Sequence, residues 1–521
     1  MSAAPAPVAP LAQQGGALTV EPDFPTFARR YDEGVPQVAW TRLVADLETP
    51  VSAMLKLAQG RPNSFLFESV EGGAARGRYS IIGCEPDLIW RANGDRAEIN
   101  RAPQSDTHGF APSPLPALAS LRALLAESAI ALPSELPPMA AGIFGYLGYD
   151  IVRLIERLPG KKRDVLGLPD SILVRPTLIV IFDSAKDEMT VVTPVRLAPG
   201  VSAKAAYARA ADRLNLVVER LEQPLPHSAD YDLDAAHPEP RPATSPEAYM
   251  AKVRRAKDYI AAGDIFQVVL SQRFEAPFTL PSFALYRALR RVNPSPFLYY
   301  LNFGGFTLVG SSPEILVRVR GGKVTIRPIA GTRPRGASAA EDKALAAELL
   351  ADAKERAEHL MLLDLGRNDV GRVAEVGSVR VTDSFFLEYY SQVMHIVSNV
   401  EGALAPRFDA VDALMAGFPA GTVSGAPKVR AMEIIDELED EARGPYAGCV
   451  GYFSADGEMD SCIVLRTSVV KDGVMYVQAG AGVVADSVPE REQAECVSKA
   501  RALFKAADEA VRFAARAKRG Q

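Results

Sequence analysis

The first part of the chain alternates between short apolar runs and alanine-rich segments. Apolar runs bounded by Gly, Pro or Asp are typical of strands, and they occur at residues 64–70, 79–90, 142–152 and 174–182. Residues 183–187 predict a turn into a further strand at 189–195, which would complete a hairpin. The composition of 117–128 and 203–221 predicts helices. A proline-rich stretch at 101–116 predicts a surface loop.

The second part of the chain carries clearer helix caps and turns. Ser245 and Pro246 are typical of a helix N-terminus, apolar residues then recur on one helical face, and Gly263 predicts the helix end. Three glycine-containing turns predict a hairpin over 316–327 and an antiparallel meander over 449–484: Gly321-Gly322, Asp456-Gly457 and Asp472-Gly473.

These patterns favour an α+β fold, in which a two-sheet β sandwich is flanked by helices. Long helical patterns at 339–365 and from 489 onward lie outside the hairpins. Strands and helices therefore do not alternate as a doubly wound parallel sheet requires. The earlier half mixes both element types, so we expect an N-terminal α/β region packed on the sandwich.

A polar segment with five prolines, residues 222–244, is typical of a linker between domains. We therefore divide the chain into five parts: a disordered tail at 1–20, an N-terminal domain at 21–221, the linker at 222–244, a C-terminal domain at 245–510 and a basic tail at 511–521.

Composition limits the class of function. The chain has 521 residues, and its 64 acidic and 58 basic side chains give a net charge of −6, which argues against broad nucleic-acid binding. Its four cysteines form no CxxC pair, against a disulfide scaffold or a zinc site. No apolar run is long enough to cross a bilayer, and the N-terminus lacks the apolar core of a signal peptide. We expect a cytoplasmic protein without membrane contact.

Two predicted helices carry paired acidic residues. Glu355 and Glu358 are three residues apart, and Glu492, Glu495 and Lys499 share one face of the last helix. Such pairs are most often solvated helix surface. If both helices met, their carboxylates would offer the oxygen ligands that Mg²⁺ prefers, together with an anionic substrate.

Two glycine-rich segments could present backbone amides to an anion. Residues 421–428, GTVSGAPK, do not fit the phosphate-loop pattern, and no helix follows Gly480 and Gly482 at the spacing of a dinucleotide motif. A plain loop or a sheet bend is an alternative for each. Glu314 could be a buried acid and His395 a proton carrier, although either could be merely structural.

Several long motifs follow one another in an order that resembles the chorismate-utilising enzymes, and among them the anthranilate synthase large subunits. The matching segments are IAGTRPRG (329–336), KERAEHLMLLDLGRND (354–369), residues 392–395, FPAGTVSGAPK (418–428), GPYAGCVGYF (444–453), QAGAGVV (478–484) and PEREQAECVSK (489–499). Residues 64–83 and 293–305 also match. The resemblance implies a Mg²⁺-dependent lyase of tryptophan biosynthesis that converts chorismate and ammonia to anthranilate and pyruvate.

The resemblance also implies a role for each matching residue. Glu358 and Glu495 would hold Mg²⁺ on the ring carboxylate of chorismate, with Glu355 and Glu492 supporting through water. Glu314 would act as general acid on the departing hydroxyl, and His395 would transfer a proton or assist the leaving group. The enolpyruvyl carboxylate would be held by Arg466, Tyr446, Lys499 and the amides of Gly480, Ala481 and Gly482. The ring would be lined by Gly331, Thr332 and Thr422.

Two positions distinguish this chain from sibling enzymes. Aminodeoxychorismate synthases often carry a lysine nucleophile where this sequence has Ala330, and alanine cannot form the covalent adduct. Isochorismate and salicylate synthases use a lysine to activate water where this sequence has Gln267. Ammonia is already nucleophilic and needs less activation.

The resemblance further implies regulation and a partner. Residues 21–221 would be regulatory and residues 245–510 would bind chorismate. Tryptophan, as feedback inhibitor, would bind at Ser69, Pro296, Phe297 and Leu298, although Phe67 departs from the family's second leucine. Only residues 500–521 follow Lys499, so we expect a separate glutamine amidotransferase subunit to supply ammonia, in a heterotetramer. The alternative is a catalytically silent subunit that binds tryptophan and a partner.

Overall fold

The computed structural model describes residues 18–71, 75–160, 162–226, 239–390 and 393–516. Within these ranges the chain forms helices α1 (Phe24–Asp32), α2 (Pro50–Ala58), α3 (Ala117–Glu127), α4 (Ala203–Glu222), α5 (Pro246–Ala261), α6 (Ser282–Val292), α7 (Ala339–Ala351), α8 (Ala353–Gly371), α9 (Ala410–Gly417), α10 (Lys428–Leu438) and α11 (Pro489–Arg516). None of these helices is both long and apolar enough to cross a membrane.

The strands up to residue 277 come mainly from the N-terminal half. They are β1 (Gln37–Val44), β2 (Ser64–Glu71), β3 (Ala75–Asn93), β4 (Arg96–Asn100), β5 (Phe110–Pro116), β6 (Gly142–Leu147), β7 (Ser171–Asp183), β8 (Glu188–Val195), β9 (Arg241–Pro242) and β10 (Gln267–Pro277).

The remaining strands belong to the C-terminal half. They are β11 (Phe297–Asn302), β12 (Thr307–Ser312), β13 (Ile315–Arg320), β14 (Lys323–Ile326), β15 (Ile329–Pro334), β16 (Arg380–Tyr389), β17 (Val393–Ala403), β18 (Gly425–Ala426), β19 (Cys449–Ser454), β20 (Met459–Ile463), β21 (Thr467–Lys471) and β22 (Val474–Val483).

The strands of the two halves pair with one another in antiparallel register. β2 pairs with β11, so that Phe297 lies opposite Ser69, and β6 pairs with β19, so that Cys449 lies opposite Leu147. A continuous ladder therefore runs from β10 through β22, β21, β12, β11, β2, β3, β7, β6, β19, β20, β13 and β14 to β17. The segments 21–221 and 245–510 share one hydrogen-bonded framework.

The α+β sandwich expected from the sequence is confirmed, with apolar side chains buried on both faces of its strands. Ile179 and Ile181 face a core made mostly of strand residues, whereas Val180 and Phe182 face a second core under α2, α4, α6 and α11. A third core lies beneath α3, α8, α9 and α10. Because successive side chains of a strand point to opposite faces, burial of both faces explains the uninterrupted apolar run at 174–182.

Local signals predicted several elements well. The hydroxyl of Ser245 accepts the Ala248 amide at 3.2 Å and caps α5, and Gly263, with a φ of +83°, follows the helix end. Gly321 and Gly322 both have positive φ in the β13–β14 hairpin, as a tight two-residue turn requires.

Other boundaries differ from the predictions because tertiary contacts interrupt the chain. The run 142–152 is a strand only as far as Leu147, since the Tyr149 amide bonds to the Gly444 carbonyl and a 3₁₀ turn follows. The run 459–470 divides into β20 and β21 around Arg466, whose φ is +47°. The stretch 101–116 is not wholly a loop, because β5 pairs with β4.

The predicted helix at 339–365 is two helices. Asp352 leaves helical geometry, with φ −65° and ψ 112°, and its carboxylate accepts the amides of Lys354 and Glu355. Asp352 therefore caps a new helix, α8, and places Glu355 in its first turn.

The predicted tails and linker fall partly within the described residues. Leu18 and Val20 pack against the helix-covered core, α4 runs to Glu222, and α11 continues through 511–516. The predictions for 1–17, 227–238 and 517–521 lie outside the described residues.

Candidate active site

A cleft of about 580 Å³ opens in the C-terminal half, and it gathers nearly all the predicted site residues. The predicted residues that line it are Glu314, Gly331, Thr332, Glu355, Glu358, His395, Thr422, Tyr446, Arg466, Gly480, Gly482, Glu492, Glu495 and Lys499. Among the residues predicted for catalysis and for binding of chorismate or metal, Ala481 is the exception, since its side chain is fully buried in the core behind β22. Strand alternation places the residue between two cleft-lining glycines on the opposite face.

Two helices bring four carboxylates to one wall of the cleft. α8 packs against β15 and β17 and presents Glu355 and Glu358, whereas α11 packs against β22 and presents Glu492 and Glu495. Residues three apart on a helix share a face, so each helix delivers its pair together. The tertiary packing of the two helices makes one acidic wall from four distant residues.

The carboxylates of this wall differ in how they are neutralised. Glu355 pairs with Arg333 at 3.1 Å and Glu495 with Lys499 at 2.7 Å. Glu358 forms no ion pair with the described residues, although the charge of Lys354 acts on it, and Gln267 donates to it at 3.4 Å. Burial raises the pKa of Glu358, and the charges of Glu355 and Glu495 raise it further.

The pKa of Glu492 is raised as well. Burial raises its pKa, the neighbouring Glu495 adds to the rise, and a hydrogen bond from Ser487 opposes it. The described residues contain no group of three or more His, Cys, Asp or Glu side chains set to hold a metal. The wall instead offers partly uncompensated carboxylate oxygens, and these fit Mg²⁺, which binds through one or two carboxylates and takes its other ligands from water and substrate.

A half-buried cation that forms no ion pair with a described carboxylate also lines the cleft. Desolvation lowers the pKa of Arg466, and Tyr390 opposes this shift. No acidic side chain of the described residues forms an ion pair with this guanidinium. Arg466 presents a fork of donors that matches a carboxylate, so the cleft has a receptor for an anion.

β22 forms the surface beside this receptor. A Cβ at Gly480 would lie 2.7 Å from the Tyr446 hydroxyl, so only glycine lets this strand approach the tyrosine. Lys499 donates to the Gly480 carbonyl at 2.8 Å while it pairs with Glu495. Lys499 therefore links the acidic wall to the anion receptor, a contact that its place on α11 alone did not predict.

His395 lies in the cleft as a neutral imidazole. Its Nδ1 is 3.2 Å from the Gly331 carbonyl and 3.0 Å from the Thr332 hydroxyl. A carbonyl can only accept, so Nδ1 carries the proton and Nε2 has a free lone pair. Nε2 is buried without a hydrogen-bond partner among the described residues. Burial and the charge of Arg466 lower the pKa of His395 to about 4.

Glu314 is held in its protonated form. It is 6% exposed, and burial raises its pKa to about 8. The Thr422 hydroxyl donates to its Oε2 at 3.0 Å, which opposes the rise. A carboxylic acid that keeps its proton at neutral pH is suited to general acid catalysis.

The residues expected to bind an effector lie at the junction of β2 and β11. Ser69 is the direct cross-strand partner of Phe297, and its hydroxyl donates to the Tyr79 carbonyl at 3.2 Å. Pro296 immediately precedes β11 and is half-buried, whereas Leu298 points to the opposite face and is buried in the helix-covered core. The motif at 392–395 is described only from Val393 onward.

Sequence reasoning did not assign roles to two residues, one beside the cleft and one lining it. Arg333, inside the motif 329–336, bonds to Glu355, Glu348 and Asp352 and so anchors the start of α8. Gln478 lines the cleft wall on β22, two residues before Gly480. The motifs contained both residues, but nothing local shows that their partners lie on other elements.

The sequence matches the family described as chorismate binding enzyme over residues 66–505. The chain therefore belongs to the chorismate-binding enzyme family.

Within the family, the chain is similar to anthranilate synthase component 1. It is 58% identical to that protein from Cereibacter sphaeroides over 497 residues, which is 95% of this chain and 99% of the relative. It is 50% identical to that from Thermus thermophilus over 474 residues, 89% of this chain and 96% of the relative.

Two solved structures show the same fold. Anthranilate synthase component I from Streptococcus pneumoniae aligns with a TM-score of 0.72 and 39% identity, covering 82% of this chain and 92% of that one. The menaquinone-specific isochorismate synthase from Escherichia coli aligns with a TM-score of 0.67 at 20% identity, covering 93% and 100%. The second likeness bears on the fold alone.

Proposed function

We propose that the chain is the large subunit of an anthranilate synthase, which converts chorismate and ammonia to anthranilate and pyruvate in tryptophan biosynthesis. The observation that carries this proposal is that one cleft contains both a group of carboxylates and a cation without an acidic partner among the described residues. A wall of four carboxylates faces the same space as Arg466, a half-buried cation without an acidic partner among the described residues. Chorismate has two carboxylates, so it can meet a wall-bound cation with one and Arg466 with the other.

The acidic wall would hold Mg²⁺ through Glu358 and Glu495, with Glu355 and Glu492 supporting through water. Bound there, Mg²⁺ would supply a Lewis acid for the ring carboxylate and disperse the negative charge that develops on it. The raised pKa values of Glu358 and Glu492, caused first by burial and then by neighbouring carboxylates, support this assignment, because a bound cation would stabilise both charged groups.

The proton steps are assigned to Glu314 and His395. Glu314, protonated at neutral pH, would donate to the departing ring hydroxyl while ammonia adds at the far end of the allylic system. The ring then loses a proton and becomes aromatic as the bond from the ring carbon to the enolpyruvyl oxygen breaks, and the enolpyruvyl methylene gains a proton to give pyruvate. The free Nε2 lone pair of His395 is suited to accept a proton in this sequence.

Product identification tests the proposed reaction. The purified chain, incubated with chorismate, Mg²⁺ and an ammonium salt, is expected to form fluorescent anthranilate. The same chain should use glutamine only when a separate amidotransferase subunit is added. Formation of para-aminobenzoate or isochorismate would assign the chain to a sibling activity, and tryptophan binding without turnover would favour a silent regulatory subunit.

Tryptophan inhibition is proposed to act through the β2–β11 junction. Ser69→Leu would fill the space opposite Phe297, so we expect the tryptophan concentration for half-inhibition to rise at least tenfold, about 1.4 kcal/mol, with activity retained. Ser69→Ala is the matched control, because it removes the hydroxyl without adding bulk and should shift inhibition less. Inhibition curves that coincide for Ser69→Leu and the unmodified chain would contradict this placement.

A further inference from the structure

A buried ion pair lies directly behind the cleft and does not line it. Arg443 and Glu439 are 2% and 5% exposed, and they form a bidentate contact: Nε reaches Oε2 at 2.9 Å and Nη2 reaches Oε1 at 2.7 Å. A buried ion pair stabilises a fold poorly, because desolvation costs offset the attraction. Its remaining contacts indicate another purpose.

The free donors of Arg443 hold two segments of the cleft wall. Nη1 donates to the Val423 carbonyl at 2.7 Å, and Nη2 donates to the Val269 carbonyl at 2.7 Å. The guanidinium also lies 5.5 Å from the centroid of the Tyr446 ring. Val423, Val269 and Tyr446 all line the cleft. One side chain thus joins the turn at 421–423, strand β10 and the loop before β19.

Glu439 extends the same network to β22. Its Oε1 accepts the Ser271 amide at 2.7 Å and the Ser271 hydroxyl at 2.9 Å. Gln478, which lines the cleft, donates to that hydroxyl at 2.8 Å. A fully satisfied buried polar network favours a single arrangement of the segments it joins.

We infer that Arg443 and Glu439 are positioning residues for the proposed reaction, and that they hold the turn at 421–423 so that the Thr422 hydroxyl stays on Glu314. The inference rests on the proposed function. Thr422 is adjacent to Val423, whose carbonyl Arg443 binds, so movement of this carbonyl moves the hydroxyl that contacts the acid.

This connection has a measurable consequence at Glu314. The Thr422 hydrogen bond lowers the pKa of Glu314, so loss of that bond raises it. A general acid is active below its pKa, and kcat/KM of the unmodified chain should therefore fall as the pH rises through about 8. Among the described residues, Tyr390 is electrostatically coupled to Glu314, and His395, Tyr446 and Arg466 line the same cleft. Of these four, Tyr446 is the one that contacts Arg443, through its ring.

The test is Arg443→Lys, which keeps the charge but loses the fork of donors. We expect kcat to fall roughly 10- to 100-fold, as for residues that orient a catalytic group, and the alkaline limb of the pH profile to move to higher pH. Thr422→Val, which removes the hydroxyl directly, should move the limb in the same direction.

Arg175→Lys is the matched control. Arg175 is buried and forms a fork of the same kind with the half-buried Asp87, at 2.7 and 3.1 Å, in the N-terminal half. The Arg175→Lys variant should have a lower thermal midpoint, with the alkaline limb of its pH profile unmoved. Should Arg443→Lys prove unstable, Glu439→Gln carries the test, with a smaller shift in the same direction.

The outcomes separate the two proposals. Profiles are measured for whichever chorismate product the unmodified chain forms, so failure of the proposed function appears in the identity of the product. The positioning role would be overturned if Arg443→Lys left both kcat and the alkaline limb of the pH profile unchanged. It would also be overturned if Arg175→Lys changed them equally.

Discussion

Replacement of Glu358 by glutamine is expected to abolish turnover while the chain remains folded. Among the four carboxylates of the acidic wall, Glu358 and Glu492 form no ion pair with an arginine or lysine of the described residues, and Glu358 is the one whose pKa is raised by the charges of two other wall carboxylates, Glu355 and Glu495. Without the carboxylate charge that would hold Mg²⁺, the site loses several kcal/mol of transition-state stabilisation. We therefore expect kcat to fall about 10³-fold or more. The measurement is anthranilate formation at saturating Mg²⁺, with Mg²⁺ affinity determined by calorimetry.

The same substitution should not reduce stability. The pKa of Glu358 is raised above its ordinary value of 4.5, so the folded chain binds this proton more tightly than the unfolded chain does. The free energy of unfolding of the metal-free protein therefore declines as the pH rises above about 4.5. Glutamine carries no such titration, and the thermal midpoint of Glu358→Gln at neutral pH should equal or exceed that of the unmodified chain.

Glu490→Gln is the control for this prediction. Glu490 is on the first turn of α11, the helix that also carries Glu492 and Glu495, but its side chain is 64% exposed and lies 3.8 Å from Arg254. It should leave both kcat and Mg²⁺ affinity unchanged. Near-normal turnover in Glu358→Gln would remove this residue from the metal site.

Arg466→Met is expected to have the second largest effect. If Arg466 binds the enolpyruvyl carboxylate, its removal leaves a buried ligand charge unpaired, which costs about 2–5 kcal/mol. That corresponds to a loss of kcat/KM of roughly 30- to 4,000-fold, expressed mainly in KM. Arg466→Lys retains the charge without the bidentate geometry, so its kcat/KM should lie between those of the unmodified chain and Arg466→Met.

Stability again separates this role from a structural one. Arg466 has no acidic partner among the described residues, and burial lowers its pKa, so the charge is a cost to the folded chain. Arg466→Met should therefore match or exceed the thermal stability of the unmodified protein. Arg367→Met, at an exposed arginine that pairs with Asp364, serves as the control for both measurements. A destabilised variant with normal KM would assign Arg466 to the fold.

The sequence alone predicted which residue types gather in the cleft. The spacing of Glu355 and Glu358, and of Glu492 and Glu495, identified both acidic pairs, and the motifs supplied Arg466, Glu314 and His395. Short-range signals also predicted the cap of α5 and the β13–β14 hairpin. Each depends on residues within a few positions of one another, and local sequence contains that information.

Tertiary structure decided which of these residues lie together and how burial and neighbouring charges affect them. Packing of α8 against β15 and of α11 against β22 joins two acidic pairs over a hundred residues apart into one wall. Burial raises the pKa of Glu314, whereas Glu355 forms an ion pair with Arg333. The pairing of β2 with β11 and of β6 with β19, which joins the two halves, had no local signal. Desolvation and charge pairing depend on segments distant in the chain, so no window of sequence contains them.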